Sequence, residues 1–347
     1  MNTNTSWQDR FPLDAALLPF LVDTQTDRVM LVRLTEEDYR NISFLDQRII
    51  TPQLPRQWVD WNEIAAIPVK TQPKPFYIFH IGHVGSTLIS RLLGEHPDIL
   101  ALREPAMLRQ ISELRVTKGE QALLWSEQNH PHRVQQLESW LSRRFHPNQR
   151  VMIKASSFVS PLAMDLLNGP AKALFLYTSL ERYLQTILAG EASIKEAETL
   201  VDLRLLRLNR FLQQIQIDKS ELTSVQKVAV GWLCEMTTLV IAFDSLQKAK
   251  IKWMDFDAFL SDPIVQLKVT TDHFGLESSL EEAGQLINGP IMNRYSKAPE
   301  YEYGPSIRED LLKEAAQNHS LAIRDTMHWV QKMAEQEKVI ARALEQC

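Results

Sequence analysis

The sequence is poor in cysteine, in glycine and in net charge. Its two cysteines, Cys234 and Cys347, are too few for a disulfide framework, which favours a protein of a reducing compartment. The 38 basic and 43 acidic residues give a formal net charge of -5, so the chain has no general positive field that attracts nucleic acid. The eleven glycines in 347 residues are about half the average usage, and we expect each one where the backbone requires it.

The chain also lacks the signature of a leader peptide and of a membrane span. Its first residues, MNTNTSW, contain neither the basic region nor the apolar region of a signal peptide. The longest apolar stretch, residues 228–243, is interrupted by Glu235 and is shorter than the ~20 residues of a membrane helix. These features predict a buried core helix in a cytoplasmic protein with no membrane or nucleic-acid partner, and they leave the oligomeric state open.

The first 70 residues differ in pattern from the rest. Two short apolar runs, residues 21–23 and 29–34, flank a polar turn and predict two strands. Five prolines between residues 52 and 75 then form a zone that no helix is expected to cross. The pattern predicts an N-terminal α+β extension over residues 1–70 and a main domain over residues 71–347.

Short apolar runs alternate with helical stretches in the main domain. Such runs are typical of buried parallel strands, and strands that alternate with helices indicate an α/β fold. Long stretches rich in Leu, Glu, Gln, Lys and Arg predict helices over residues 181–248 and 308–346. The predicted strands are residues 76–81, 99–102, 151–154, 173–177 and 251–256.

The loop after the first of these strands carries the strongest chemical signal. Gly82 and Gly85 allow the backbone to curl towards a ligand, and Ser86 and Thr87 place hydroxyl groups at the start of a helix. A strand, such a loop and a helix N-terminus together favour an anion, usually a phosphate. The loop is not a Walker A motif, because Ser86 follows Gly85 where that motif has lysine. A βα turn with a serine cap and no ligand remains an alternative for the loop alone.

An ordered set of motifs around this loop resembles the sulfotransferase family. Residues 80–93, HIGHVGSTLISRLL, resemble the family's P-[RK]-S-G-T-[ST]-L loop and the helix after it, and HPDI at 96–99 and REP at 103–105 follow as they do in the family. Lys154 ends a strand, residues 178–186 stand where the family has R-x(7)-S, and residues 253–276 resemble its "Y-E-D-L…D-P…F-L-G" segment. The resemblance covers roughly residues 76–276.

The resemblance implies a three-layer P-loop fold, with a central, mostly parallel sheet flanked by helices. It further implies transfer of a sulfuryl group from 3′-phosphoadenosine 5′-phosphosulfate, as co-substrate, to a hydroxyl or amine of a small-molecule or peptide acceptor, with no metal. Glu104 corresponds to the general base, and His83 and Lys154 stand at the other catalytic positions. The residues implied to bind the nucleotide are Gly82, His83, Val84, Gly85, Ser86, Thr87, Thr178, Thr186 and Arg308.

Several positions depart from the family's pattern. His83 replaces the loop cation, and a neutral imidazole carries no charge unless it is protonated. Val84 replaces a serine, and Thr178 and Thr186 replace the arginine and serine of the 3′-phosphate site. Loss of that arginine removes a charge-assisted contact. Arg182, one helical turn beyond Thr178, is a candidate for the missing cation, but the interpretation we favour is an exposed helical arginine.

A polar, aromatic loop at residues 293–308 offers other cations. The resemblance implies that a basic residue here closes over the nucleotide, and a tyrosine is able to stack on its base. A tyrosine cluster that packs the loop down is an equal alternative. The candidates are the cations Arg294, Lys297 and Arg308 and the aromatics Tyr295, Tyr301 and Tyr303.

Two other functions stay open at this point. The lost cations favour a non-catalytic protein that binds a nucleotide or another anion with the same fold. A phosphotransferase that uses another nucleotide is the third hypothesis, which the missing Walker lysine opposes. A metal site is not expected, because no carboxylate or cysteine completes a ligand set with His130, His132 and His146. Asp257 and Asp262 are interpreted as turn and cap residues.

Overall fold

A computed structural model describes residues 6–117, 129–294 and 304–347. The chain forms two compact units, residues 1–78 with 89–173 and residues 79–88 with 174–347. The division at residue 70 that composition predicts is not tested by this grouping and stays a prediction.

The first unit begins with a three-stranded antiparallel sheet in the order β1-β2-β3. The predicted pair of strands is present as β1 and β2, and a third strand that the sequence analysis did not predict pairs with β2 through Val29 and Val59. In β3 only Val59 is buried, so the strand lacks the apolar alternation that identifies a strand in sequence. The elements are α1 Trp7–Arg10, β1 Leu17–Asp23, β2 Arg28–Arg33, α2 Glu36–Asn41, β3 Arg56–Asp60 and α3 Trp61–Ala65.

A five-stranded parallel sheet flanked by helices confirms the predicted α/β class. Its strand order is β5-β6-β4-β7-β8, and each of the five predicted apolar runs forms one strand. All residues of β4 and β5 are buried, as expected for parallel strands covered on both faces. The strands are β4 Phe76–His80, β5 Ile99–Arg103, β6 Arg150–Lys154, β7 Lys172–Tyr177 and β8 Ile251–Asp255.

Two buried arginines hold the main chain of the first unit together. Arg143 follows α6 and donates hydrogen bonds to the carbonyl oxygens of Phe11 and Leu17 at 2.7 and 2.5 Å. Arg103, the last residue of β5, donates to the carbonyls of Tyr39 and Ile42, each at 2.9 Å. Burial lowers the pKa of each guanidinium to about 10, so both remain charged at neutral pH. The helices after β4 are α4 Ser86–Gly94, α5 Ala106–Thr117, α6 His130–Leu141 and α7 Ala163–Leu166.

Helices make up most of the second unit. The predicted helical stretch 181–248 is interrupted at residues 209–223, where the backbone N–H groups of Gln213, Gln214 and Ile215 all donate to the carboxylate of Glu337. The helices are α8 Leu180–Leu188, α9 Glu191–Leu208, α10 Ser224–Ser245, α11 Phe256–Ser261, α12 Pro263–Phe274, α13 Leu280–Ile287, α14 Pro305–Asn318, α15 Ser320–Gln336 and α16 Lys338–Glu345.

Helix α10 contains the long apolar stretch of the sequence. With 22 residues it is longer than that stretch, and by length and composition alone it is long enough to cross a membrane. In the structure 78% of its apolar window is buried inside the protein, as in the predicted core helix. Glu235 is fully buried here and accepts hydrogen bonds from Arg207 at 2.8 and 2.9 Å. Burial raises the pKa of the Cys234 thiol to about 12, which leaves it unreactive.

Candidate functional site: an anion loop at the start of α4

The loop between β4 and α4, residues 81–85, has a left-handed backbone at three of its five residues. Gly82, His83 and Gly85 have φ angles of +89°, +55° and +65°, and Val84 between them does not share this hand. Alternation of hand along successive residues is the backbone pattern that gathers N–H groups around an anion. We call residues 82–87 the anion loop.

The start of α4 adds donors of a second kind. The first N–H groups of a helix have no acceptor within the helix, and the helix dipole favours negative charge at this end. Ser86 and Thr87 are the first two residues of α4, and both are buried. Before the loop, Nδ1 of His80 accepts the N–H of Gly82 at 3.0 Å, which fixes where the strand ends and the turn begins.

Gly85 is required by the ring of Phe256 as well as by its own φ angle. A β-carbon at residue 85 would lie 2.0 Å from Cε2 of Phe256 and 2.1 Å from Cζ. These distances are far below van der Waals contact, so the glycine lets the loop backbone lie directly against the first residue of α11. The sequence analysis did not identify Phe256, because its partner is distant along the chain.

A cluster of hydrogen-bond donors surrounds the carboxylate of Asp257, the next residue of α11. Its carboxylate accepts the hydroxyl of Thr178 at 2.6 Å and a guanidinium N–H of Arg308 at 2.8 Å. Arg308 also lies over the Phe256 ring, 5.2 Å from its centroid. The structure therefore brings together two residues predicted to bind nucleotide, Thr178 and Arg308, and pairs both with Asp257. Asp262 does cap α12, but Asp257 is more than the turn residue that the sequence suggested.

Arg182 extends this cluster. Its guanidinium is 32% exposed, donates to Glu309 at 3.1 Å, and lies 3.8 Å from Asp257. Arg182 and Arg308 are thus both matched by carboxylates. A bound anion at this position would compete with Asp257 and Glu309 for the two arginines.

Two acidic groups near Asp257, the carboxyl of Asp255 and the thiol of Cys347, have raised pKa values. Burial raises the pKa of Asp255, the N-cap of α11, and the negative charge of Asp257 raises it further. Burial, with the charge of Asp255, raises the pKa of the Cys347 thiol to about 12. Since both shifts oppose ionisation, additional negative charge is disfavoured beside Asp255.

The other residues predicted to bind the nucleotide are Thr186, Arg294 and four residues that the structure does not describe. Thr186 lies on α8, and its hydroxyl donates to the carbonyl of Arg182 at 2.7 Å, within its own helix. Arg294 follows the short 3₁₀ helix Pro290–Asn293. Four candidates of the aromatic loop, Tyr295, Lys297, Tyr301 and Tyr303, lie outside the described residues.

His83 has a carboxylate neighbour that the sequence did not indicate. Its Nε2 lies 3.5 Å from Oε2 of Glu196, which belongs to α9. No spacing signal links these two residues, because the contact is made only in the folded chain. The pair is ionic when the imidazole is protonated.

In the first unit, the structure brings Glu104 and Lys154 together. Lys154 ends β6 and is only 1% exposed, and its Nζ donates to Oε1 of Glu104. Glu104 follows β5 with a φ angle of +54°, and its N–H donates to the carbonyl of Lys154 at 2.7 Å. Non-glycine residues in this conformation cluster at functional sites, because the surrounding structure has to hold the strain.

Two of the three histidines considered for a metal site, His130 and His146, have another partner. Nε2 of His130 lies 3.1 Å from the carbonyl oxygen of Ile111, and Nε2 of His146 lies 2.8 Å from Glu36. Within residues 6–117, 129–294 and 304–347, no three histidine, cysteine, aspartate or glutamate side chains form a group that could hold a metal ion.

Comparisons with known proteins give structural neighbours only. The sequence matches no protein-family model and no curated protein. A sulfotransferase domain from the curacin biosynthetic pathway is 13% identical with a TM-score of 0.43, over 72% of this chain and 99% of that one. A sulfotransferase from Alicyclobacillus acidocaldarius is 14% identical with a TM-score of 0.36, over 73% and 97%.

A third neighbour is mouse sulfotransferase SULT7A1, whose structure is a complex with PAP. It is 8% identical with a TM-score of 0.32, over 75% of this chain and 90% of that one. Identities and TM-scores in this range assign neither a donor nor an acceptor to this chain. Its function has to be argued from its own residues.

Proposed function

We propose that the protein is a sulfotransferase-like enzyme that transfers a sulfuryl group from 3′-phosphoadenosine 5′-phosphosulfate to a hydroxyl or amine of a small-molecule or peptide acceptor. The observation that carries the proposal is the anion loop, with left-handed φ angles at Gly82, His83 and Gly85 and two hydroxyl residues at the start of α4. In the proposed complex, the loop N–H groups and the hydroxyls of Ser86 and Thr87 donate hydrogen bonds to the 5′-phosphosulfate.

Glu104 is the proposed general base. Its carboxylate takes the proton of the acceptor's hydroxyl or amine as the acceptor atom bonds to sulfur, and the bond from sulfur to the donor's phosphate oxygen breaks. Lys154 holds the carboxylate of Glu104 in place through its ammonium group. No metal is required for these steps. The lone pair of the acceptor oxygen or nitrogen forms the new bond to sulfur.

Removal of the Ser86 hydroxyl tests the loop directly. Hydrogen bonds to charged groups contribute about 1.5–3 kcal/mol, so Ser86→Ala is expected to weaken binding of adenosine 3′,5′-bisphosphate by roughly 10- to 100-fold in calorimetry. Ser279→Ala is the control, because Ser279 also places a hydroxyl at the start of a helix, as the N-cap of α13, but lies outside the loop. Equal affinity in wild type and Ser86→Ala would remove the loop from the binding site.

A second candidate function is anion binding without transfer. The cluster around Asp257 favours it over transfer from this donor, because Thr178, Arg308 and Arg182 are paired with carboxylates and the anion loop is left as the anion site. Turnover assays with labelled donor and a panel of hydroxyl and amine acceptors separate the two functions. Reproducible transfer would exclude the binding-only function.

A further inference from the structure

His83 occupies a backbone conformation that fixes its position in the anion loop. Its φ angle is +55°, which side chains with a β-carbon rarely adopt, and its neighbours are Gly82 and the buried Val84. The imidazole is only 18% exposed. A strained residue persists only where its surroundings hold it. The surrounding structure therefore holds the backbone of His83 in place.

Glu196 is the carboxylate at this imidazole. Its Oε2 lies 3.5 Å from Nε2 of His83, and its side chain is 53% exposed on α9. The next residue, Ala197, is buried, so α9 holds Glu196 at the margin of a packed face. A carboxylate at this distance stabilises the protonated imidazole relative to the neutral one. His83 replaces the family's loop cation and is charged only when it is protonated, and Glu196 favours that state.

Other titratable and charged groups lie on the elements around the loop. His80, at the end of β4, uses Nδ1 to accept the N–H of Gly82. Asp257 and Arg308, which lie beside Phe256, form an ion pair with each other. Lys195 precedes Glu196 on α9 and is exposed. Glu196 is a carboxylate that lies within ion-pair distance of the His83 imidazole.

We propose that His83, when protonated, supplies the positive charge of the anion loop and that Glu196 keeps it in place. The imidazole of His83 takes up a proton, and Glu196 is the positioning residue that holds the resulting imidazolium at the loop. This inference rests on the proposed function, since it requires residues 82–87 to bind the sulfuryl or phosphoryl group. The loop then binds an anion more tightly at a pH where His83 is protonated. A hydrogen bond from the imidazolium of His83 to the anion is about twice as strong as one between neutral groups.

Inorganic sulfate is the probe of choice, because it stays doubly charged throughout the titration range of histidine, whereas phosphate does not. Sulfate is titrated into the full chain, and its affinity is measured from the amide signals of the loop in NMR spectra from about pH 5.5 to about pH 8.5. For the wild type we expect affinity to fall by about tenfold across this range. No ionisation of the probe contributes to that fall.

Two substitutions of His83 bracket the expected behaviour. His83→Lys keeps a positive charge across the range, so it is expected to bind sulfate with little dependence on pH. His83→Asn removes the charge but tolerates the left-handed conformation, so the loop should keep its shape and bind weakly at every pH.

Glu196→Gln separates a positioning role from a merely structural one. With the carboxylate gone, the midpoint of the pH dependence should move to lower pH, while the affinity at high pH stays as in the wild type. Glu198→Gln removes an exposed carboxylate from the same helix and is the matched control, with no expected shift. A structural role for Glu196 would change affinity equally at all pH values.

The outcomes distinguish this inference from the function on which it rests. Sulfate binding that is equally tight at all pH values, or a midpoint that Glu196→Gln does not move, overturns the inference and leaves the anion loop standing. No sulfate binding at any pH overturns both. A midpoint that moves in Glu196→Gln and not in Glu198→Gln supports both.

Discussion

Gly85→Ala is expected to destabilise the protein by about 2–5 kcal/mol, from two costs that add. A β-carbon in the left-handed region costs roughly 1–2 kcal/mol, and Gly85 has a φ angle of +65°. The new carbon would also lie 2.0 Å from Cε2 of Phe256, and forcing an extra carbon into a packed site typically costs about 1–3 kcal/mol. The backbone strain is local, whereas the clash displaces the first residue of α11.

Urea unfolding followed by circular dichroism measures the sum, and two further variants separate its parts. Gly169 has a φ angle of +97° with no atom within 4 Å of a built β-carbon, so Gly169→Ala reports the backbone cost alone. Phe256→Leu replaces the ring that the new carbon meets with a shorter side chain. In the double variant with Gly85→Ala it should recover a large part of the steric cost, which a double-mutant cycle reports as a coupling energy. Strictly additive effects of the two substitutions would refute the close approach of Phe256 to the loop.

Two further predictions concern carboxylates. Glu104→Gln should lower sulfuryl transfer by roughly 100-fold or more without changing the affinity for adenosine 3′,5′-bisphosphate, whereas Glu113→Gln, an exposed carboxylate on α5, should leave both unchanged. Transfer that survives in Glu104→Gln would exclude this carboxyl as the base. Burial raises the pKa of Glu337, but three backbone N–H bonds outweigh burial and lower it. Its stabilising effect is therefore complete above the unfolded pKa of about 4.3 and is lost as pH falls through the folded value. Glu337→Gln should lose this part of the stability at neutral pH, and urea midpoints from about pH 3 to about pH 7 measure it; parallel curves for the two proteins would contradict the assignment.

The parallel sheet was predictable because its strands are buried on both faces. A strand such as β4, which is buried throughout, reads as a continuous apolar run whatever its neighbours are. β3 was missed because one residue of its five is buried, and its pairing with β2 depends on backbone groups that every sequence has. The break between α9 and α10 was missed for a related reason. It is stabilised by Glu337, which is distant along the chain.

In the candidate site, too, the features that depend on neighbouring residues were predictable and the contacts between distant residues were not. The strand–loop–helix arrangement around residues 82–87 was predictable because its glycines, hydroxyls and flanking apolar run are neighbours in sequence, and anion binding by the loop stays a prediction. The partners of Thr178, Arg308 and His83 were not, because each contact joins elements far apart in the chain. Side-chain pairing of this kind leaves no periodic signal. The assignments of catalytic roles to Glu104, His83 and Lys154 stay predictions that the variants above test.

The buried guanidinium of Arg103 limits where the gene can be divided. Its hydrogen bonds to the carbonyls of Tyr39 and Ile42 join the N-terminal segment to the end of β5, and its own carbonyl accepts the N–H of Leu45 at 2.7 Å. A truncation that deletes residues 1–70 would remove these carbonyls and leave the Arg103 charge without them next to Glu104. A shortened form of the protein that contains β5 therefore has to contain the N-terminal segment as well.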